Sequence, residues 1–247
     1  MSRLPPASSL GTLEQEAVIR AEVDGVLVIS PHFDDAVMSC GELIGSCSMA
    51  TVATVCSASP GEGVPASAEW DAVPPGFPMA DDVVRARRDE DRQALEILGA
   101  QKAGLGLVDE LYRRPAPAFA AYEELVSSIG CLIDDLRPRT CLFPVGLGSG
   151  VSDHELTRDA SLAALRSRTW CHPIAYADLP YALNYPWRLD ERLPDLKARV
   201  RRFIGPLLQG THKEDAVRRY ATQLPKVPGW ERAIEPGVES YFHVLLR

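Results

Sequence analysis

The chain has 247 residues, 46% of them hydrophobic and 24% charged, with a formal net charge of −8. That balance belongs to a globular protein with one sizeable core and excludes a disordered, fibrous or membrane-spanning chain. The acidic surplus argues against nucleic acid or an anionic membrane as partner, because their phosphates are bound by clustered Lys and Arg.

Residues 1–24 carry Pro5, Pro6 and a short helical pattern around Leu13 to Ala21, and read as an N-terminal arm on a single domain spanning 1–247. Val26 to Ile29 is a continuous apolar run, expected to be a strand buried on both faces. Asp35 to Cys47 reads as the following helix and Thr51 to Cys56 as the next strand, which makes a βαβ unit with a right-handed crossover. Ser57 to Ala80 holds five prolines and three glycines and is expected to be one long loop; loops of that length in compact domains tend to be functional. Asp81 to Gly99 predicts a helix closed by its terminal glycine. Further strands are expected at Gly104 to Val108, Thr140 to Phe143, Ile174 to Ala177 and Tyr241 to Leu246, and helices at 119–136, 153–168, 193–208 and 211–223. The alternation predicts an α/β protein, a Rossmann-like three-layer sandwich with a mostly parallel central sheet. No apolar signal core follows Met1 and no apolar stretch reaches about 18 residues, so a cytoplasmic location is expected. Six cysteines without a close pair read as reduced thiols, most of them buried.

Directly after the first strand stands Ser30-Pro31-His32-Phe33-Asp34-Asp35. It places one imidazole and two carboxylates within four residues at the edge where open α/β sheets hold their ligands. A borderline-soft cation such as Zn²⁺ takes imidazole and carboxylate, and a second carboxylate that does not coordinate can deprotonate water. An Asp pair after a strand can also cap the next helix. Capping does not call for a His two residues earlier, so the metal reading is preferred. A catalytic Zn²⁺ keeps three protein ligands and one open position. Of the other histidines, His154 follows a strand and the glycine-rich Gly146 to Gly150, which places it on the same sheet edge as His32. His172 opens a strand at the opposite edge, His243 lies inside the last strand and His212 opens a helix. His154 is therefore the expected third ligand, with Asp153 orienting an imidazole or capping the helix.

These residues resemble the LmbE-like (PIG-L) zinc-dependent N-deacetylases, whose signature is a strand followed by Pro or Ala and His-Pro-Asp-Asp, with a later Asp-His. Here the two parts are Pro31 to Asp35 and Ser152-Asp153-His154. The similarity extends through Arg87-Arg88-Asp89-Glu90-Asp91, Leu105 to Arg113, Tyr176 to Tyr181 and Lys213 to Gln223. It implies hydrolysis of an N-acetyl group on an amino sugar, with His32, Asp35 and His154 holding one Zn²⁺ or another divalent cation and Asp34 as general base. It also implies substrate-facing roles for Arg88, Asp109, Asp153, Asp178 and Tyr181. Phe33 and Ala36 depart from the commonest pattern, and Val151 stands where many members carry an oxyanion-assisting His, so oxyanion stabilisation must come from the metal and another donor. The expected partner is a small-molecule glycoside. Trp70, Phe77, Tyr181, Tyr185 and Trp187 could stack on its sugar or simply pack in loops. The alternatives are a Rossmann-like nucleotide or metabolite binder, disfavoured because the first turn lacks Gly-x-Gly-x-x-Gly and is acidic, and a family member that binds sugar without catalysis.

Overall fold

The computed structural model describes residues 25–67, 71, 76–113, 118–147, 153–196, 199–204 and 212–246. The N-terminal arm, Trp70 and Val151 lie outside them. Strands are β1 (Val26–Ser30), β2 (Ala50–Thr54), β3 (Gln101–Gly104), β4 (Thr140–Pro144), β5 (His172–Tyr176), β6 (Arg199–Ile204) and β7 (Ser240–Leu245). The main helices are α1 (Asp35–Ser46), α2 (Ala80–Ile97), α3 (Ala118–Leu136) and α4 (Asp153–Leu165), followed by the shorter α5 (Tyr181–Asn184), α6 (Pro186–Arg192), α7 (Lys213–Val217) and α8 (Trp230–Ala233).

The strands form one seven-stranded sheet in the order β3-β2-β1-β4-β5-β7-β6. The first five run parallel, β7 lies antiparallel to β5, and β6 antiparallel to β7. This is a Rossmann-like three-layer α/β sandwich, with α3 packed on α4 in one layer and α1, α2 and α7 together in the other. β1 and β4 are buried along their whole length, as continuous apolar runs covered on both faces require. The winding reverses between β1 and β4, and it is outside the C-terminal ends of the strands at such a reversal that open α/β sheets hold their ligands.

Two expected helices are corrected. The described residues of 193–208 hold a 3₁₀ turn at Leu193–Leu196 and then β6, because Arg199–Ile204 finds a partner in β7 along six residue pairs. The 211–223 helix shortens to α7, and turns follow it. β3 lies three residues earlier than the apolar segment suggested. It is the edge strand, and its largely exposed residues carry no strand signature. From Ser57 to Met79 no helix or strand interrupts the described residues, and α2 takes up Ala80, the last residue of the expected loop. Among the described residues no helix is long and apolar enough to cross a membrane. All six cysteines are free thiols; Cys40, Cys56, Cys141 and Cys171 are buried, Cys47 is half-buried and Cys131 exposed.

Candidate metal and catalytic site

The turn after β1 is built around a hydroxyl. Ser30 Oγ donates to the His32 carbonyl (2.6 Å) and accepts from the Ala36 amide (3.0 Å), so it satisfies one of the free N–H groups at the start of α1. Asp34 occupies the N-cap position, yet its side chain makes no capping hydrogen bond. The capping alternative therefore fails for Asp34, because Ser30 does that job. Asp35, one residue into the helix, turns its Oδ2 back to accept from the His32 amide at 2.9 Å.

Asp35 Oδ2 is also the meeting point of two imidazoles. His32 Nδ1 lies 3.2 Å from it and His154 Nε2 3.5 Å. Four donors around Zn²⁺ at its usual bond lengths stand about 3.3–3.4 Å apart, close to these two spacings, and one ligand atom from each of the three residues lies within 4.8 Å of the others. His154 reaches this point from the first turn of α4, on the loop that leaves β4. Its other nitrogen, Nδ1, donates to Asp178 Oδ1 at 2.6 Å, which fixes the tautomer and points the Nε2 lone pair toward Asp35. Asp178, in the loop after β5, accepts the Gly146 amide with its second oxygen (2.9 Å). Gly146 takes a φ of +100° there, a conformation that favours glycine.

The electrostatics suit a dication. Burial acts to raise Asp35, but the charge of His154 and hydrogen bonds from His32 override it and hold the carboxyl at about 2. Burial likewise acts to lower both histidines; Asp153 and Asp35 outweigh it at His32, and Asp35 and Asp178 at His154, so both imidazoles are pulled toward the cationic form. Asp34 behaves in the opposite way. Burial and then the neighbouring Asp35 charge push its carboxyl up to about 7. Two adjacent carboxylates thus differ in environment, one committed to its cationic neighbours and one poised to exchange a proton near neutral pH.

The remaining expected site residues fall into two groups. Asp109 Oδ2 lies 3.7 Å from His32 Nε2 at the partly open mouth, and the half-buried Tyr181 ring meets His154 edge-on at 5.7 Å. Three others have partners inside the protein. Asp178 is fully buried, with one oxygen engaged by His154 Nδ1 and the other by the Gly146 amide. Asp153 is sealed as well. It pairs with Arg113, accepts from the Glu110 amide and Cys56 Sγ, and lies 3.5 Å from His32 Nε2. Arg88 is exposed and donates to the Ser57 carbonyl; the preceding Arg87, turned about 100° round the helix, pairs with buried Asp71 and is the one whose charge acts on Asp34. Ser30, Cys56 and Arg113 were not singled out in the sequence. Of the aromatic candidates, Tyr185 and Trp187 are exposed and pack edge-on at 5.6 Å beyond α5.

A family model described as GlcNAc-PI de-N-acetylase (PIG-L) matches residues 27–165, from β1 through His154 to the end of α4. The chain belongs to the PIG-L family. Its structure is similar to that of the A40926 pseudoaglycone deacetylase Dbv21, at 26% identity and a TM-score of 0.71 over 90% of this chain and 97% of that one. A triple mutant of the deacetylase of teicoplanin biosynthesis is similar at 25% identity, with a TM-score of 0.72 over 90% and 98% of the two chains. The N,N'-diacetylchitobiose deacetylase of Pyrococcus horikoshii shares the fold at 14% identity, with a TM-score of 0.54 over 100% and 95%. No curated protein matches the chain. The matched residues take in the exits of both β1 and β4, from which His32 and His154 come.

Proposed function

We propose that this PIG-L chain is a metal-dependent amidohydrolase that removes the N-acetyl group from an amino sugar carried on a small glycoside. The observation that supports it best is the convergence of His32 Nδ1 and His154 Nε2 on Asp35 Oδ2, with uncapped Asp34 beside them. Three protein donors and an open side are the arrangement of a catalytic rather than a structural zinc site. Relatives that deacetylate the A40926 pseudoaglycone and act in the teicoplanin biosynthetic pathway support a glycosylated natural product as substrate class.

A divalent cation held by His32, Asp35 and His154 supplies Lewis acidity toward the amide carbonyl and acidifies water. Asp34 takes the proton of the attacking water. It returns a proton to the amide nitrogen as the C–N bond breaks, so that acetate and the free amine leave. Asp178 keeps the His154 ring in register, and Asp153 does the same for His32 from its Nε2 side. Asp109 and Tyr181, which line the open face, contact the sugar. A nucleotide is a poor fit, because its phosphates would meet Asp34, Asp35 and Asp109. The test is acetate release from a panel of N-acetylated aminoglycosides and glycopeptides, with and without a chelator. The reading expects activity that is lost on chelation and restored by Zn²⁺; no acetate release from any member of the panel by metal-loaded protein would overturn it.

A further inference from the structure

Phe33 stands directly before Asp34, at the position where the commonest form of the motif has proline. Proline fixes φ through its ring, and phenylalanine does not. The Phe33 side chain is buried, and the Lys102 ammonium lies over its face, 5.1 Å from the ring centroid. Two acceptors on α2 hold Lys102 there: it pairs with Asp91 Oδ2 at 2.8 Å and donates to the Arg88 carbonyl at 2.8 Å. Asp91 is fully buried, and its other oxygen accepts the Tyr220 hydroxyl at 3.0 Å. We propose that Lys102, Asp91 and Tyr220 are positioning residues, which clamp the Phe33-Asp34 turn and thereby hold the Asp34 carboxylate in place for its work as a base.

The contacts join four elements that are far apart in the chain. Phe33 lies in the turn after β1, Asp91 on α2 and Lys102 on the edge strand β3. Tyr220 follows α7, which packs on both α1 and α2. Burial, Asp91 and then Asp34 push the fully buried Tyr220 hydroxyl well above the usual phenol range, so it stays protonated and donates, within electrostatic reach of the base. Burial raises the Asp91 carboxyl as well, against the pull of Lys102 and Tyr220. The bond from Lys102 to the Arg88 carbonyl also ties down the α2 turn from which Arg87 acts on Asp34.

Stability alone is a weak reason for such a set, because a buried ion pair loses hydration at both ends and packed apolar residues would stabilise the fold as well. What the pair supplies is a fixed direction. An ammonium has three N–H donors; with two of them directed at Asp91 and the Arg88 carbonyl, the place of the charge over the ring is set by α2. Asp34 makes no capping hydrogen bond of its own, so its placement depends on the turn that carries it. A misplacement of about 1 Å in a reacting group can lower the rate about 10²-fold. The positioning role rests on the deacetylase reading above; the clamp on the turn does not.

The experiment compares Lys102→Gln, which keeps N–H donors and removes the charge, with Lys102→Arg and with Tyr220→Phe, which keeps the ring and removes the hydroxyl. In Zn²⁺-loaded Lys102→Gln and Tyr220→Phe, kcat for acetate release per folded molecule should fall about 10–100-fold, with KM and Zn²⁺ affinity unchanged. Lys102→Arg restores a cation over the ring and should recover most of the loss. Tyr220→Phe changes no charge, so it decides the question by itself if Lys102→Gln does not fold. An unchanged kcat in the folded variants, whatever their melting temperatures, overturns the proposal, and so does a raised KM in place of a lowered kcat. A double-mutant cycle of Lys102→Gln with Phe33→Leu in urea unfolding tests the clamp without any substrate. Coupling of about two- to thirtyfold in the unfolding constant is expected, and additive effects overturn the clamp. Coupling in a protein that releases no acetate from any substrate leaves the clamp standing and refutes the function instead.

Discussion

Asp178→Asn tests how the metal triad is held. Each oxygen of the Asp178 carboxylate has its own donor, the His154 Nδ1–H at 2.6 Å and the Gly146 amide at 2.9 Å. Asparagine has a single oxygen. Whichever donor it serves, its NH₂ faces the other, leaving a buried N–H opposed by a donor at a site with no solvent. An unsatisfied buried polar group costs about 1–3 kcal/mol of stability. Losing the carboxylate behind a metal-binding imidazole lowers metal affinity about 10–100-fold, or about 1.4–2.8 kcal/mol at about 1.4 kcal/mol per tenfold. The assay pairs urea unfolding with competition for Zn²⁺ against a chromogenic chelator, then measures kcat and KM with saturating metal. A residue that orients His154 should weaken metal binding and destabilise the fold, with KM nearly constant. Unchanged metal affinity together with a raised KM would return Asp178 to the substrate and refute the reasoning.

Asp34→Asn should keep the metal and lose about 10²–10⁴ in deacetylation; full activity at measured occupancy would mean that another group takes the proton. In metal-free protein an acid raised from 3.8 to about 7 contributes stability below its unfolded value and loses that contribution as pH rises through about 7. The stability difference between wild type and Asp34→Asn should therefore move in favour of the variant between about pH 4 and 7, as followed by thermal melts, and a constant difference would contradict it. Ser30→Ala removes the acceptor for the Ala36 amide and should cost about 0.5–2 kcal/mol in chemical denaturation. Gly41→Ala, which in most helix interiors gains about 1 kcal/mol, should here destabilise. Its Cβ would stand 2.7 Å from Lys213 Cγ, and Lys213 is buried and held by Glu239 at 2.8 Å; a higher melting point would show that this contact yields.

The convergence of His32, Asp35 and His154 was legible because three signals coincide in the chain: a fully apolar strand, a His and two Asp directly after it, and a second His after a glycine-rich strand exit. Strand identity then places them together, since parallel neighbours share one edge. What supports the triad was less visible. Asp178 is an isolated acid between Ala177 and Leu179, and only the closing of β5 beside β4 reveals that it faces His154. Arg87 and Arg88 are indistinguishable as letters, and helix phase alone separates the one near Asp34 from the one on the surface. β6 escaped notice because Arg-Val-Arg-Arg-Phe-Ile suits an exposed helix as well as an edge strand, and pairing with β7, some forty residues away, decides between them.

The Ser30 hydroxyl bears on how this chain could change. With the helix start secured by residue 30, position 34 carries no architectural duty, and its chemistry can be deleted without disturbing the turn around it. On the proposed function, a single substitution there would leave a folded, metal-bearing receptor for the same molecule. Such a receptor would retain uncleaved ligand long enough for its identity to be read directly.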